Sequence, residues 1–133
     1  KDPSAPHPDY PGRRNDGKFM GTNPEAVRGQ ECHSKIYADL QSKGFTTEKR
    51  LPGSQKIPDG HKVDKNGFIT DVAEVKPNTR SGKYKMESQI KGYSDSANSY
   101  NKNLSNTTRL PAPAVKQHRI FYSPKTGEIV QWL

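Results

Sequence analysis

Residues 57–77 read IPDGHKVDKNGFITDVAEVKP. Two alternating runs flank Asn66-Gly67, which is the strongest short signal for a β-hairpin with a two-residue type I′ turn. Under that turn, residues whose numbers sum to the same value face each other. Lys65 then pairs with Phe68, Val63 with Thr70, His61 with Val72, and Asp59 with Glu74. Directly opposed residues in an antiparallel pair hold their Cβ atoms roughly 5 Å apart. Strand alternation puts Lys76 on the same side as Glu74. Two carboxylates placed together are destabilising unless something positive sits between them. Lys76 is one candidate, and a divalent cation with its preference for hard oxygen ligands is the other. The same face carries Ile57, Val63, Phe68 and Val72, which predicts that it is shielded from water. The opposite face offers Ile69, Ala73 and Val75, so the strand is expected to be covered on both sides.

The hairpin sits within a helix-strand-strand-helix-strand-strand order. Residues 22–44 predict a helix, with Thr22 or Asn23 as cap, Pro24 in the first turn and Gly44 at the exit. Lys83 to Leu104 predicts a second helix, with Met86, Ile90, Tyr93, Ala97, Tyr100 and Leu104 alternating steps of four and three. Its middle, SDSANS, is poor in helix formers and predicts a break between Ser94 and Ser99. The end, VKQHRIFYSPKTGEIVQWL, predicts two strands around a turn at Ser123 to Gly127. The expected class is α/β: a central mixed β-sheet flanked by helices. Residues 1–20 are rich in proline and charge without periodicity and predict an extended arm or linker. Residues 21–133 form the expected single domain.

Composition narrows the partners. The chain has 133 residues, 22 basic against 14 acidic, a net charge of +8 and a mean hydropathy of −1.09. Leu, Ile, Val and Phe together make up roughly a sixth of it, near the level at which charged chains stay disordered. Their periodic placement argues instead for a small packed core. The positive charge points to a polyanion, nucleic acid above all. The lone Cys32 allows neither an internal disulfide nor a cysteine zinc site. No run is long and apolar enough to cross a membrane. A first residue of Lys rather than Met suggests a piece of a longer protein.

Pro58-Asp59 followed by Glu74-Val75-Lys76 across a hairpin resembles the PD-(D/E)xK nuclease superfamily, which has the restriction-endonuclease-like fold. An acid on the preceding helix, Glu31, and Gln89-x-x-x-Tyr93 on the following one extend the resemblance over residues 24 to 122. The small basic module also resembles the C-terminal toxin domain of bacterial polymorphic toxins. The resemblance implies a metal-dependent nuclease, most simply a DNase. It implies Mg²⁺, with Mn²⁺ as substitute, held by Asp59, Glu74, the Val75 carbonyl and Glu31. Lys76 would then orient the attacking water or stabilise charge on the phosphate, and Gln89 would position Lys76 or the water. Tyr93, Arg50, Lys56, His61 and Lys83 are the expected substrate contacts. The implied partners are DNA and an acidic immunity protein. Delivery would be as part of a larger secreted protein, with action in the target cell's cytoplasm.

Two other readings remain open on the residues alone. The tail HRIFYSPKTGEIVQW resembles the closing strands of barnase-like ribonucleases, with His118 as acid, Arg119 as phosphate clamp and Glu31 or Glu74 as base. A non-catalytic nucleic-acid-binding module would need only the basic charge.

Overall fold

The computed structural model describes residues 24–133, with side chains from residue 33 onward. The expected arm over residues 1–20 and the capping residues Thr22 and Asn23 lie outside the described residues. The elements run α1 (Pro24–Ser42), β1 (Thr46–Thr47), β2 (Gly60–Val63), β3 (Ile69–Pro77), α2 (Arg80–Thr108), β4 (Lys116–Tyr122) and β5 (Ile129–Trp132). The five strands stand in the order β1-β2-β3-β4-β5. Every neighbouring pair is antiparallel except β3 and β4, which are parallel and joined through α2. Such a parallel step requires a long crossover, and a helix is its usual form. The predicted element order therefore holds, with one short edge strand added. β1 falls in the stretch between α1 and β2, where no strand was expected.

The central strand β3 is covered on both sides. Toward α1, Ala73 and Val75 pack with Ile36, Leu40, Phe45, Ile120 and Tyr122. Toward α2, Val72 packs with Leu51, Met86, Ile90, Ala97 and Phe121. Two residues expected in shielded positions are instead open to solvent: Ile57 is 53% exposed and Val63 44%. Both sit where the hairpin has left the cover of the helices.

The hairpin reaches its register by a different route from the one expected. The turn is a three-residue loop, Lys65-Asn66-Gly67, closed by a bond from Asp64 N–H to the Phe68 carbonyl at 2.8 Å. Asp64 fixes this loop by accepting from the Asn66 and Phe68 amides at 2.9 and 3.0 Å. Gly67 supplies the left-handed residue that such loops need, with φ of 91°. The longer turn shifts the pairing by one, so Val63 faces Ile69 and not Thr70. A bulge then inserts Thr70, and Lys62 faces Asp71, His61 faces Val72 and Gly60 faces Ala73. Past the bulge the register is the predicted one. Thr70 also swings Ile69 onto the α2 side, where it joins that core cluster. The Asn101 side chain brackets Ile69, accepting from its N–H and donating to its carbonyl, both at 2.8 Å.

α2 is one continuous helix, and the predicted break between Ser94 and Ser99 does not occur. Ser94 and Ala97 are buried against the sheet, so these small residues allow close packing that outweighs their weak propensity. Thr79 caps its start by accepting from the Gly82 amide at 3.1 Å.

Candidate active site

Asp59 stands immediately before β2, where the ladder to β3 runs out. Its Oδ2 accepts from the Val75 amide at 2.7 Å, taking the place that a strand carbonyl would fill. Its Oδ1 accepts from the Tyr37 hydroxyl at 2.8 Å. Two donors from different elements, α1 and β3, thus hold one carboxylate in place. In an extended strand the N–H and C=O of one residue point toward the same edge, so the Val75 carbonyl also faces the Asp59 side.

Glu74 follows one residue before Val75 and is 4% exposed. Burial, and then the neighbouring Asp59 carboxylate, push its pKa up to about 9, against a smaller downward pull from Lys76. Lys76 Nζ lies 3.7 Å from Glu74 Oε2, close enough to attract but not to neutralise fully. Tyr93, from α2, points its hydroxyl at the same Oε2 from 3.5 Å and at the Ile57 carbonyl from an equal distance. Burial, followed by the two carboxylates, pushes Tyr93 up to about 12. Both tyrosines therefore stay protonated and act as donors to an anionic centre.

The structure thus brings together Asp59, Glu74, Lys76 and Tyr93 from the sequence-predicted set. The Gln89 Oε1 atom, one turn before Tyr93, is buried without a hydrogen-bond partner. Lys56 is held against α2, donating to the Gly92 carbonyl at 3.1 Å. Arg50 and Lys83 are exposed. Glu31 belongs to α1, but its side chain lies outside the described residues. His61 departs from the expectation. It is 4% exposed beneath the sheet's cover, so its ring cannot touch a polymer, and burial lowers its pKa.

The sequence reading missed Tyr37, whose hydroxyl holds Asp59. His33 Nδ1 lies 3.2 Å from the Tyr37 hydroxyl, extending the chain of contacts one turn back along α1. The only hint in sequence was the i, i+4 spacing of two polar rings on one helix face. Glu48 is the second addition. It adopts a left-handed backbone with φ of 56°, uncommon outside glycine, while its amide donates to the Asp59 carbonyl at 3.4 Å.

A divalent cation fits this donor set. Asp59 and Glu74 are hard oxygen ligands, and the raised pKa of Glu74 marks a place short of positive charge. Among the described residues no third His, Cys, Asp or Glu joins the cluster. Glu31 is the remaining acid that the sequence pattern offers.

This sheet, with a carboxylate pair and a lysine at the end of its central strand, defines an α/β domain of the restriction-endonuclease-like fold. The family described as "Restriction endonuclease fold toxin 9" matches residues 21–110, and the chain belongs to that family. No curated protein matches the chain, and neither does any solved structure. Membership supports a nuclease toxin, whose substrate is nucleic acid, and is consistent with delivery as part of a larger toxin protein. No helix among the described residues is long and apolar enough to cross a membrane.

Proposed function

We propose that the domain is a Mg²⁺-dependent nuclease that hydrolyses phosphodiester bonds, with DNA as its substrate. The observation that carries this reading is the half-buried Asp59 beside the buried Glu74, with Lys76 Nζ 3.7 Å from Glu74. Asp59, Glu74 and the Val75 carbonyl would hold the cation, with Glu31 as a further ligand. When bound, the cation supplies Lewis acidity and lowers the pKa of water at neutral pH. Lys76 lies beside the pair as a fixed positive charge for the phosphate as its charge rises. Gln89 Oε1, which lacks a partner, would accept a hydrogen bond from the attacking water. Tyr37 fixes the rotamer of Asp59, and Tyr93 that of Glu74. Arg50, Lys56 and Lys83 supply phosphate contacts, which fix register without reading sequence. The net charge of +8 strengthens that attraction and makes it salt-dependent. An acidic immunity protein covering this basic side would protect the producing cell, and the domain would act in the target cell's cytoplasm.

The barnase-like alternative fits poorly. His118 and Arg119 are consecutive in β4, so their side chains leave the sheet on opposite faces and cannot grip one phosphate. Arg119 is also bound twice to Glu87, at 2.8 and 3.2 Å.

The deciding experiment incubates the protein with plasmid DNA and with total RNA, in Mg²⁺ and in EDTA, beside Glu74→Ala. Cleavage of DNA that needs Mg²⁺ and Glu74 is expected. Full cleavage in EDTA would overturn the metal-dependent reading. Binding without cleavage in any divalent metal would leave only a binding module.

A further inference from the structure

We propose that the recess between the Gly53-Ser54 turn and the flank of α2 over residues 95–103 is a subsite for a nucleobase of the substrate. The inference rests on the nuclease reading above and extends it to where the polynucleotide lies.

The recess has a volume of about 370 Å³, and Ser54, Asp95, Ser96, Ser99, Tyr100 and Asn103 line it. That is within the range of small-molecule sites. It lies on a continuation of the active-site stripe. Gln89, Tyr93, Ser96, Tyr100 and Asn103 repeat in steps of four and three, so they share one flank of α2. Tyr93 contacts Glu74, and Tyr100 is seven residues further, about 10 Å along the axis. That separation equals about three base steps of B-form DNA. Lys56, bonded to the Gly92 carbonyl, stands at the Tyr93 end of the stripe, where a phosphate leading toward the recess would pass.

The lining chemistry selects a base over a phosphate. Three serine hydroxyls and the Asn103 amide offer neutral donors and acceptors, and the Tyr100 ring offers an aromatic wall. The one charged liner is the carboxylate of Asp95, held by Lys91 at 2.8 Å. A carboxylate repels a phosphate but can accept from a base N–H. The recess also depends on small residues. A Cβ at Gly53 would come within 2.8 Å of Tyr100 Cδ2, and Gly53 has φ of +72°. The run SDSANS is weak as helix, yet its serines at 96 and 99 leave space that larger helix formers would fill.

The test is an NMR titration of the ¹⁵N-labelled protein, and of Glu74→Gln, with adenosine, guanosine, cytidine and thymidine, and separately with inorganic phosphate. Nucleosides are expected to shift the amides of Ser96, Ser99 and Asn103 saturably in both proteins. Phosphate should shift the basic 49–56 segment instead. Ser99→Trp should abolish the nucleoside shifts and raise the KM for a polynucleotide about tenfold at unchanged Tm, the size expected for one base contact. If Ser99→Trp fails to fold, Asn103→Ala at the rim serves the same purpose. Absence of nucleoside shifts at these amides, or equal shifts with phosphate, overturns the subsite. Nucleoside binding without Mg²⁺-dependent cleavage would overturn the nuclease reading and leave the recess a nucleoside site. Cleavage with a silent recess would do the reverse.

Discussion

Two acids three residues apart on β3 have opposite fates. Asp71 and Glu74 are both buried. Burial raises the Asp71 carboxyl, but hydrogen bonds from Thr70 and His118 outweigh it and hold Asp71 below its ordinary range. The Thr70 hydroxyl donates to Oδ1 at 2.7 Å, and His118 Nε2 lies 2.6 Å from Oδ2. Trp132 Nε1–H can only donate, and it donates to His118 Nδ1 at 3.1 Å. That leaves the imidazole proton on Nε2, facing Asp71. Every polar atom in this group has a partner, so it reads as structure. Glu74 has a second carboxylate, a lysine at 3.7 Å and a distant hydroxyl, and its pKa is pushed up to about 9. Glu74 lacks the compensation that Asp71 has, which is the environment that marks a functional candidate.

Mutating the two acids should therefore separate function from stability. The largest effect belongs to Glu74→Gln and Lys76→Ala, each expected to reduce nuclease turnover by about 10²- to 10³-fold. Glu74→Gln should not lower Tm near neutral pH, since burial and Asp59 keep Glu74 protonated there and Gln retains a neutral group of the same shape. A Tm loss matching that of a core truncation would erase the contrast. Next, Asp71→Asn should destabilise by about 1.5–3 kcal/mol, the scale of a hydrogen bond to a charged group. Urea unfolding measures that loss, while turnover per folded molecule should stay near wild type. A specific activity loss like that of Glu74→Gln would make Asp71 part of the chemistry.

The pH dependence sharpens the same contrast. A carboxyl whose folded pKa is raised favours the native state only while protonated. In EDTA the Glu74 contribution is thus fully present below its ordinary value near 4.5 and is lost as pH climbs to about 9. Asp71 has the opposite sign, its contribution fading as pH falls through its lowered value. Thermal melts from pH 5 to 9 should show a decline that Glu74→Gln removes and Mg²⁺ offsets. The smallest effect is the control. The exposed Asp39–Lys43 pair, 2.7 Å apart on α1, should cost at most about 0.5 kcal/mol on Asp39→Ala and nothing in activity.

Much of this contrast was legible in sequence, through parity. Alternation alone placed Asp71 and Glu74 on opposite sides of β3. Counting outward from Asn66-Gly67 placed Asp59 beside Glu74. The turn itself was misread, because a carboxylate at Asp64 stabilises a three-residue loop that a dipeptide rule does not weigh. The break expected in α2 failed because propensity is a weak prior where small residues gain tertiary packing. The bond from Tyr37 to Asp59 and the His118 network could not be read from local spacing. Their partners are 22 and 47 residues away, and only the closed sheet brings them within reach.

The paired irregularities of the hairpin have a consequence for how this domain tolerates change in length. The three-residue loop adds one position to the turn, and Thr70 adds one to β3, so the two cancel before the strands reach Gly60 and Ala73. Beyond the bulge the strands pair without interruption, so a residue lost from the loop, or Thr70 itself, leaves Gly60 opposite Ala73. The bulge absorbs a length change that would otherwise reach Asp59 and Glu74. The carboxylate pair therefore depends on the pairing below the bulge, and much less on how many residues the tip contains.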